Sequence, residues 1–123
     1  MIRSLFDIMK LNIIVCRGVL IMATSKDYKD YILEQLNILG DITCRPMMGE
    51  YLLYYNDILF GGIYDNRLLV KIVNSNKKYN LQEQIPYESA KPMYFISDLD
   101  NIEKLSEIVV ETCKDLPIKK TRN

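Results

Sequence analysis

The chain has 123 residues, 49% of them hydrophobic and 26% charged, with 16 basic and 16 acidic side chains. That is the size and balance of one folded domain, and a net charge of zero excludes a bulk electrostatic pull towards DNA or an acidic membrane. The absence of histidine excludes Ser-His-Asp triads, Cys-His dyads, His-ligated zinc and histidine general bases.

Residues 1–21 do not read like the rest. Lys10 interrupts the run, and the apolar stretch over residues 11–22 falls short of the roughly 20 residues that a membrane span needs. No small-x-small cleavage site follows it, so secretion is not expected. Met22-Ala23-Thr24-Ser25 would make a good start for a cytoplasmic protein, and Arg17-Gly18 can be encoded by a purine-rich, ribosome-binding-like stretch upstream of it. The expectation is therefore a translated leader over residues 1–21, a domain over 22–117 and a basic tail over 118–123. The rival reading of the first segment is a β-strand over residues 12–16.

Cys16, Cys44 and Cys113 lie far apart and are odd in number, which suits reduced thiols in the cytoplasm. Cys44 and Cys113 read as small core hydrophobes.

A helix is expected from Ser25, with Thr24 or Ser25 as its cap and Gly40 just past its end. Tyr28, Tyr31, Ile32, Leu36 and Leu39 form its apolar stripe, and Leu33 points away from it. Strands follow over residues 42–47, with Pro46 arguing for an edge or a bend, and over 50–55, 58–64 and 68–73. Asn56-Asp57 is a two-residue hairpin turn, and Asp65-Asn66-Arg67 turns again. The polar run over residues 74–84 holds a short helix around 77–81, and residues 93–96 form a last strand. Asp98 or Asp100 then caps a helix to about Leu116, with Ile102, Leu105, Val109, Thr112, Cys113 and Leu116 on its core face. The fold class is α+β, a two-layer α/β sandwich in which an antiparallel meander packs against N- and C-terminal helices.

Two patterns in this layout carry functional weight. The strands between Tyr51 and Val73 are apolar on both faces, whereas an antiparallel sheet usually leaves one face wet and polar. A second apolar face calls for cover from another chain, from residues 1–21 or from a ligand, and self-association as a homodimer is the leading expectation. The last helix carries Glu103, Glu107, Glu111 and Asp115 at a spacing of four, which reads as a solvated outer face or, functionally, as a docking surface for a basic partner.

The densest segment is Arg45-Pro46-Met47-Met48-Gly49-Glu50-Tyr51, continued by Tyr54 and by Gly61-Gly62-Ile63-Tyr64-Asp65. Gly61-Gly62 lacks the spacing and the following helix of a phosphate loop and reads as a bent, tightly paired hairpin. Met47 and Met48 suit either core filling or an adaptable groove. Arg45, Glu50, Tyr54 and Lys71 together would make an alternative site, a small-molecule or enzyme site for a carboxylate or phosphate. The tyrosines are not interleaved with basic residues, as a single-stranded nucleic-acid platform would need.

These same residues carry a resemblance. The run from Thr43 to Tyr51, with its Arg-x-Met-Met-Gly-x-Tyr pattern, then Tyr54-Tyr55, Gly61-Gly62-Ile63-Tyr64-Asp65 and Leu68-Leu69-Val70-Lys71, is similar to the TfoX/Sxy family N-terminal domain. The run over residues 86–91 fits as well, and the resemblance covers about residues 22–117. It implies a secretion-chaperone-like sandwich and a link to transcriptional regulation of competence for DNA uptake. Full-length regulators of that family are similar to this chain only in their first half, and their helical second domain has no counterpart here.

The expectation is thus a cytoplasmic, non-catalytic regulatory or adaptor domain acting through an unknown protein partner, without cofactor or metal, and without specific DNA binding of its own. Arg45, Met47, Met48, Gly49, Tyr51, Tyr54, Gly62 and Lys71 are the candidate interaction positions.

Overall fold

The computed structural model describes the backbone of residues 13–16 and 19–22 and the whole of residues 24–117. Strands β1 (Ile13–Cys16) and β2 (Val19–Met22) pair antiparallel with each other, Ile13 opposite Met22, as a sheet of their own. Much of the proposed leader and all of the basic tail from residue 118 lie outside the described residues.

Helix α1 (Lys26–Leu36) starts where Ser25 caps it: the Ser25 hydroxyl accepts from the Tyr28 amide, a contact that contributes about 1 kcal/mol. A short 3₁₀ turn, Asn37–Leu39, extends it to Gly40. Ile32 and Leu36 are fully buried, and Tyr28 and Leu39 pack beside them. Two expectations need correction. Leu33 packs against the core rather than pointing away from it, and Tyr31 sits at the rim. The Tyr31 phenol donates to Asp100 at 2.5 Å, and that bond, with some burial, pushes its pKa up to about 12.

The main sheet is six-stranded and antiparallel. Strands β3 (Ile42–Met47), β4 (Glu50–Tyr55), β5 (Ile58–Ile63) and β6 (Leu68–Val70) form the expected meander. The order then becomes β6-β8-β7, because β7 (Gln82–Gln84) lies at the edge, outside β8 (Met93–Ile96). Nothing in Gln82-Glu83-Gln84 signals a strand; only pairing with β8 makes it one. Three two-residue turns join the meander: Met48-Gly49, Asn56-Asp57 and Asp65-Asn66. All six residues have positive φ, the type I′ geometry whose twist matches the flanking strands.

Helix α2 (Ile102–Lys114) is capped by Asn101, not by Asp98 or Asp100; the Asn101 side chain accepts from the Lys104 amide. Its buried face is Leu105, Ile108, Val109, Thr112 and Cys113, so Ile108 joins the expected set and Ile102, about a third exposed, leaves it. Both helices cover the sheet face that carries Leu53, Phe60, Leu68, Val70, Tyr94 and Ile96, and these residues together form the core.

The acidic ladder on α2 is largely occupied by the chain itself. The 3₁₀ helix Asn74–Tyr79 lies along it: Tyr79 donates to Glu107, Lys78 pairs with Glu111 at 3.4 Å, and the Ser75 amide donates to Asp115. The Ser75 hydroxyl also donates to the Glu111 carbonyl. Beneath it, the fully buried Asn76 donates to the Lys71 carbonyl and to the Thr112 hydroxyl and accepts from the Val73 amide, which ends β6 early and turns the chain.

Candidate functional site

The β3–β4 hairpin presents most of the candidate residues. Met48 stands at its tip, 96% exposed, at φ +51. A methionine there has no local reason in backbone chemistry, since this region favours glycine, asparagine and aspartate. The hairpin is anchored from behind. The buried Thr24 hydroxyl donates to a Glu50 carboxylate oxygen at 2.6 Å, and the Asp65 amide donates to the same oxygen at 3.2 Å. The Asn66 amide donates to the Thr24 hydroxyl, the Ser25 amide donates to the Asn66 side chain, and the Thr24 amide reaches the Gly49 carbonyl. Glu50 therefore ties the entry to α1, the hairpin and the β5–β6 turn together.

The other candidates fall on both sides of the sheet. Tyr51 faces the helices and packs on the core, with the Lys29 ammonium 5.3 Å from its ring centre. Arg45 is exposed on edge strand β3, opposite Leu52, and Met47 is half-buried opposite Glu50. Tyr54 is buried in register with Thr43 and Leu59. Lys71 lies just beyond β6, three strand spacings or roughly 14 Å across the sheet from β3. Of Arg45, Glu50, Tyr54 and Lys71, only Lys71 lines the cavity described below.

Gly61 and Gly62 are packing requirements. A Cβ on Gly61 would lie 2.1 Å from the Leu69 carbonyl oxygen, and one on Gly62 would lie 2.5 Å from that of Tyr51 and 2.9 Å from the Tyr64 ring. The register of β4 and β5 shifts between Leu53 and Tyr54, the bulge that the glycine pair implied. Burial raises the Cys44 and Cys113 pKa values, the latter to about 11, so both thiols stay protonated as packing groups.

The second apolar face of the sheet is partly roofed by its own chain. The segment over residues 85–92, between β7 and β8, crosses it. Arg67 holds this strap: its guanidinium donates to the Gln84 side chain at 2.8 Å and to the Ile85 and Pro86 carbonyls, and its Nε donates to the Tyr64 carbonyl. Pro86 is buried, and Tyr87 meets the Tyr64 ring at 6.2 Å between centres. Between strap and sheet lies a cavity of about 640 Å³, walled by Leu52, Leu59, Tyr64, Ile72, Pro86 and Met93, with Lys71 and Lys91 also lining it. Sequence reasoning treated Arg67 only as a turn residue; the one signal available was a lone arginine directly after a type I′ Asp-Asn pair.

The pattern that defines the TfoX N-terminal domain matches residues 34–112, from inside α1 across the whole six-stranded sheet to near the end of α2. The chain belongs to the TfoX N-terminal domain family. This TfoX N-terminal domain is also similar to an uncharacterized 12.7 kDa protein in the trpE 5′ region of Spirochaeta aurantia, with 27% identity over a 104-residue alignment that covers 82% of this chain and 90% of that protein. The residues of the hairpin tip, the glycine pair, the Arg67 clamp and the strap all fall within the matched TfoX N-terminal segment. Among the described residues, no helix is long and apolar enough to cross a membrane.

Proposed function

We propose that this domain is a non-catalytic regulatory or adaptor module that acts by protein–protein contact, with the Met48 hairpin as its recognition element. The observation that carries the reading is Met48 itself. It is a large apolar side chain almost wholly in water, on a backbone conformation that costs an L-residue about 1 kcal/mol, at the tip of a hairpin fixed by the Thr24–Glu50–Asp65 bonds. Strain kept where no described residue covers the side chain is a mark of a contact made elsewhere. The anchoring bonds leave little entropy to lose when a partner seats the tip.

The dispersal of Arg45, Glu50, Tyr54 and Lys71 supports this reading over an enzymatic one, because a catalytic site needs its groups convergent in one concavity. Any part the domain takes in regulating competence would then run through its protein partner rather than through DNA. A second copy of the chain is one partner to test, and light scattering at micromolar concentration would report a dimer if so.

The deciding variant is Met48→Asn. Asn-Gly is the best-suited pair for a type I′ turn, so this variant should fold with stability equal to or about 1 kcal/mol above the parent while losing the apolar tip. Crosslinking in the native cell should recover a partner with the parent chain and not with Met48→Asn. Equal recovery by both would defeat the proposal.

A further inference from the structure

The cavity beneath the strap suggests a function separate from the hairpin. Its volume, about 640 Å³, lies in the roughly 300–1,000 Å³ range of small-molecule sites. The fold holds this space open. Arg67 fixes the start of the strap through the Ile85 and Pro86 carbonyls, and the pairing of Gln84 with Met93 brings its two ends together. Between those ends Pro86 is buried. The Tyr64 ring is seated on the Gly62 backbone, where a Cβ would lie 2.9 Å from it, and the Tyr87 ring meets it at 6.2 Å between centres, tilted by 56°. These contacts prop the strap off the sheet.

Two features of the wall select a ligand. The first is charge. The lining carries two lysines and no carboxylate. Lys71 already has an interaction of its own, and Lys91 is exposed, so its charge is solvated. An ionised ligand would give up its water to walls of Leu52, Leu59, Ile72 and Met93, which offer nothing in return. An uncharged ligand loses little, and it displaces water that such walls hold poorly, because an ordered water needs roughly two to four polar partners. The second feature is an aromatic corner. The Tyr64 and Tyr87 rings and Met93 all line the cavity. Ring–ring and sulfur–ring contacts favour an aromatic ligand over a saturated one of equal area.

We infer that this cavity binds a small uncharged molecule built on an aromatic ring, held against Tyr64, Tyr87 and Met93 and covering Leu52 and Leu59.

The geometry gives such a ligand a mechanical consequence. Tyr87 belongs to the strap, while Leu52 and Leu59 belong to strands β4 and β5. One molecule touching all three joins the two walls and fastens the middle of the strap. Amide exchange over residues 85–92 should therefore slow when the cavity is filled.

The test uses the full chain near neutral pH and four probes: naphthol, its saturated counterpart decahydronaphthol, naphthoate and naphthylmethylammonium. Affinity is read by calorimetry, and location by ring-current shifts of the Leu52, Leu59 and Met93 methyl resonances. Naphthol should bind about fivefold more tightly than decahydronaphthol, and about tenfold or more above either ion. It should move those three sets of methyl resonances and leave that of Met48 in place. In Tyr87→Leu, at an exposed residue, the preference for naphthol over decahydronaphthol should fall to about twofold or less. Decahydronaphthol affinity should stay unchanged there, which also reports an intact cavity. Leu59→Trp, which fills the cavity from the sheet, should abolish binding of both, and Tyr87→Leu keeps the test decisive should this variant unfold. The inference is overturned if no probe binds, if decahydronaphthol or either ion matches naphthol, or if the preference survives in Tyr87→Leu. It is also overturned if folded Leu59→Trp binds like the parent, if the shifted resonances lie elsewhere, or if light scattering shows that a second copy of the chain fills this face and excludes naphthol. None of these outcomes bears on the Met48 hairpin, whose test reads a protein partner.

Discussion

The two faces of the main sheet differ in how they are closed. The face with Leu53, Phe60, Leu68 and Val70 is sealed by α1 and α2, and all four of those residues are fully buried. The opposite face is just as apolar in sequence, yet its cover is uneven. Leu69 is fully buried, whereas Leu52, Leu59 and Met93 stay partly open around a cavity. Helices bring rows of side chains that interdigitate with a sheet; an eight-residue strap with two prolines brings few, and it is fastened by backbone carbonyls on one arginine. Equal hydrophobicity therefore does not mean equal packing. One face holds the fold, and the other is left with room for a ligand.

The largest effect is expected where the two faces meet. Gly61→Ala places a methyl 2.1 Å from the Leu69 carbonyl oxygen, which backbone alone must yield to, and should destabilise by about 3 kcal/mol in urea denaturation. A neutral result would mean that β5 and β6 can part without harm to either face. Next is Asn76→Ala on the helix side. It removes the partner of the Val73 amide, the Lys71 carbonyl and the Thr112 hydroxyl together, and the midpoint of thermal unfolding should fall by the equivalent of about 2 kcal/mol. A smaller loss than that of an exposed asparagine such as Asn74 would remove this network from the account. On the strap side, Arg67→Lys keeps the charge but cannot span Gln84, Ile85 and Pro86 at once. Global stability should drop by only about 1 kcal/mol, while amide exchange and proteolysis over residues 85–92 rise sharply. A uniform rise across the whole sheet would show that the strap is part of the core.

The sequence was readable where local chemistry decides structure. Ser25 announces α1, Asn56-Asp57 and Asp65-Asn66 announce hairpins, and Gly61-Gly62 announces close approach and a bulge. It was unreadable where distant partners decide. Gln82–Gln84 becomes a strand only beside β8, Asn76 becomes essential only because Thr112 meets it from α2, and Arg67 becomes a clamp only once the strap has returned over the sheet. The apolar second face was legible, but its cover was sought in another chain, residues 1–21 or a ligand, and a strap from residues 85–92 was not among those. The candidate site shows the same division. The hairpin residues were found by their density, but their separate roles, Glu50 as anchor and Met48 as exposed tip, depend on Thr24 and Asp65 from other parts of the chain.

Leu52 and Leu53 allow the contrast between faces to be measured with a single chemistry. They are neighbours on one strand, one lining the cavity and the other in the sealed core. Urea denaturation of Leu52→Ala and Leu53→Ala, with equal m-values, compares them directly. The account predicts a cost of about 3 kcal/mol or more for Leu53→Ala and about 1 kcal/mol for Leu52→Ala, because the second site is already loosely packed. Equal costs would contradict it, since they would show that the strap closes its face as tightly as the helices close theirs and leaves no space there for a ligand.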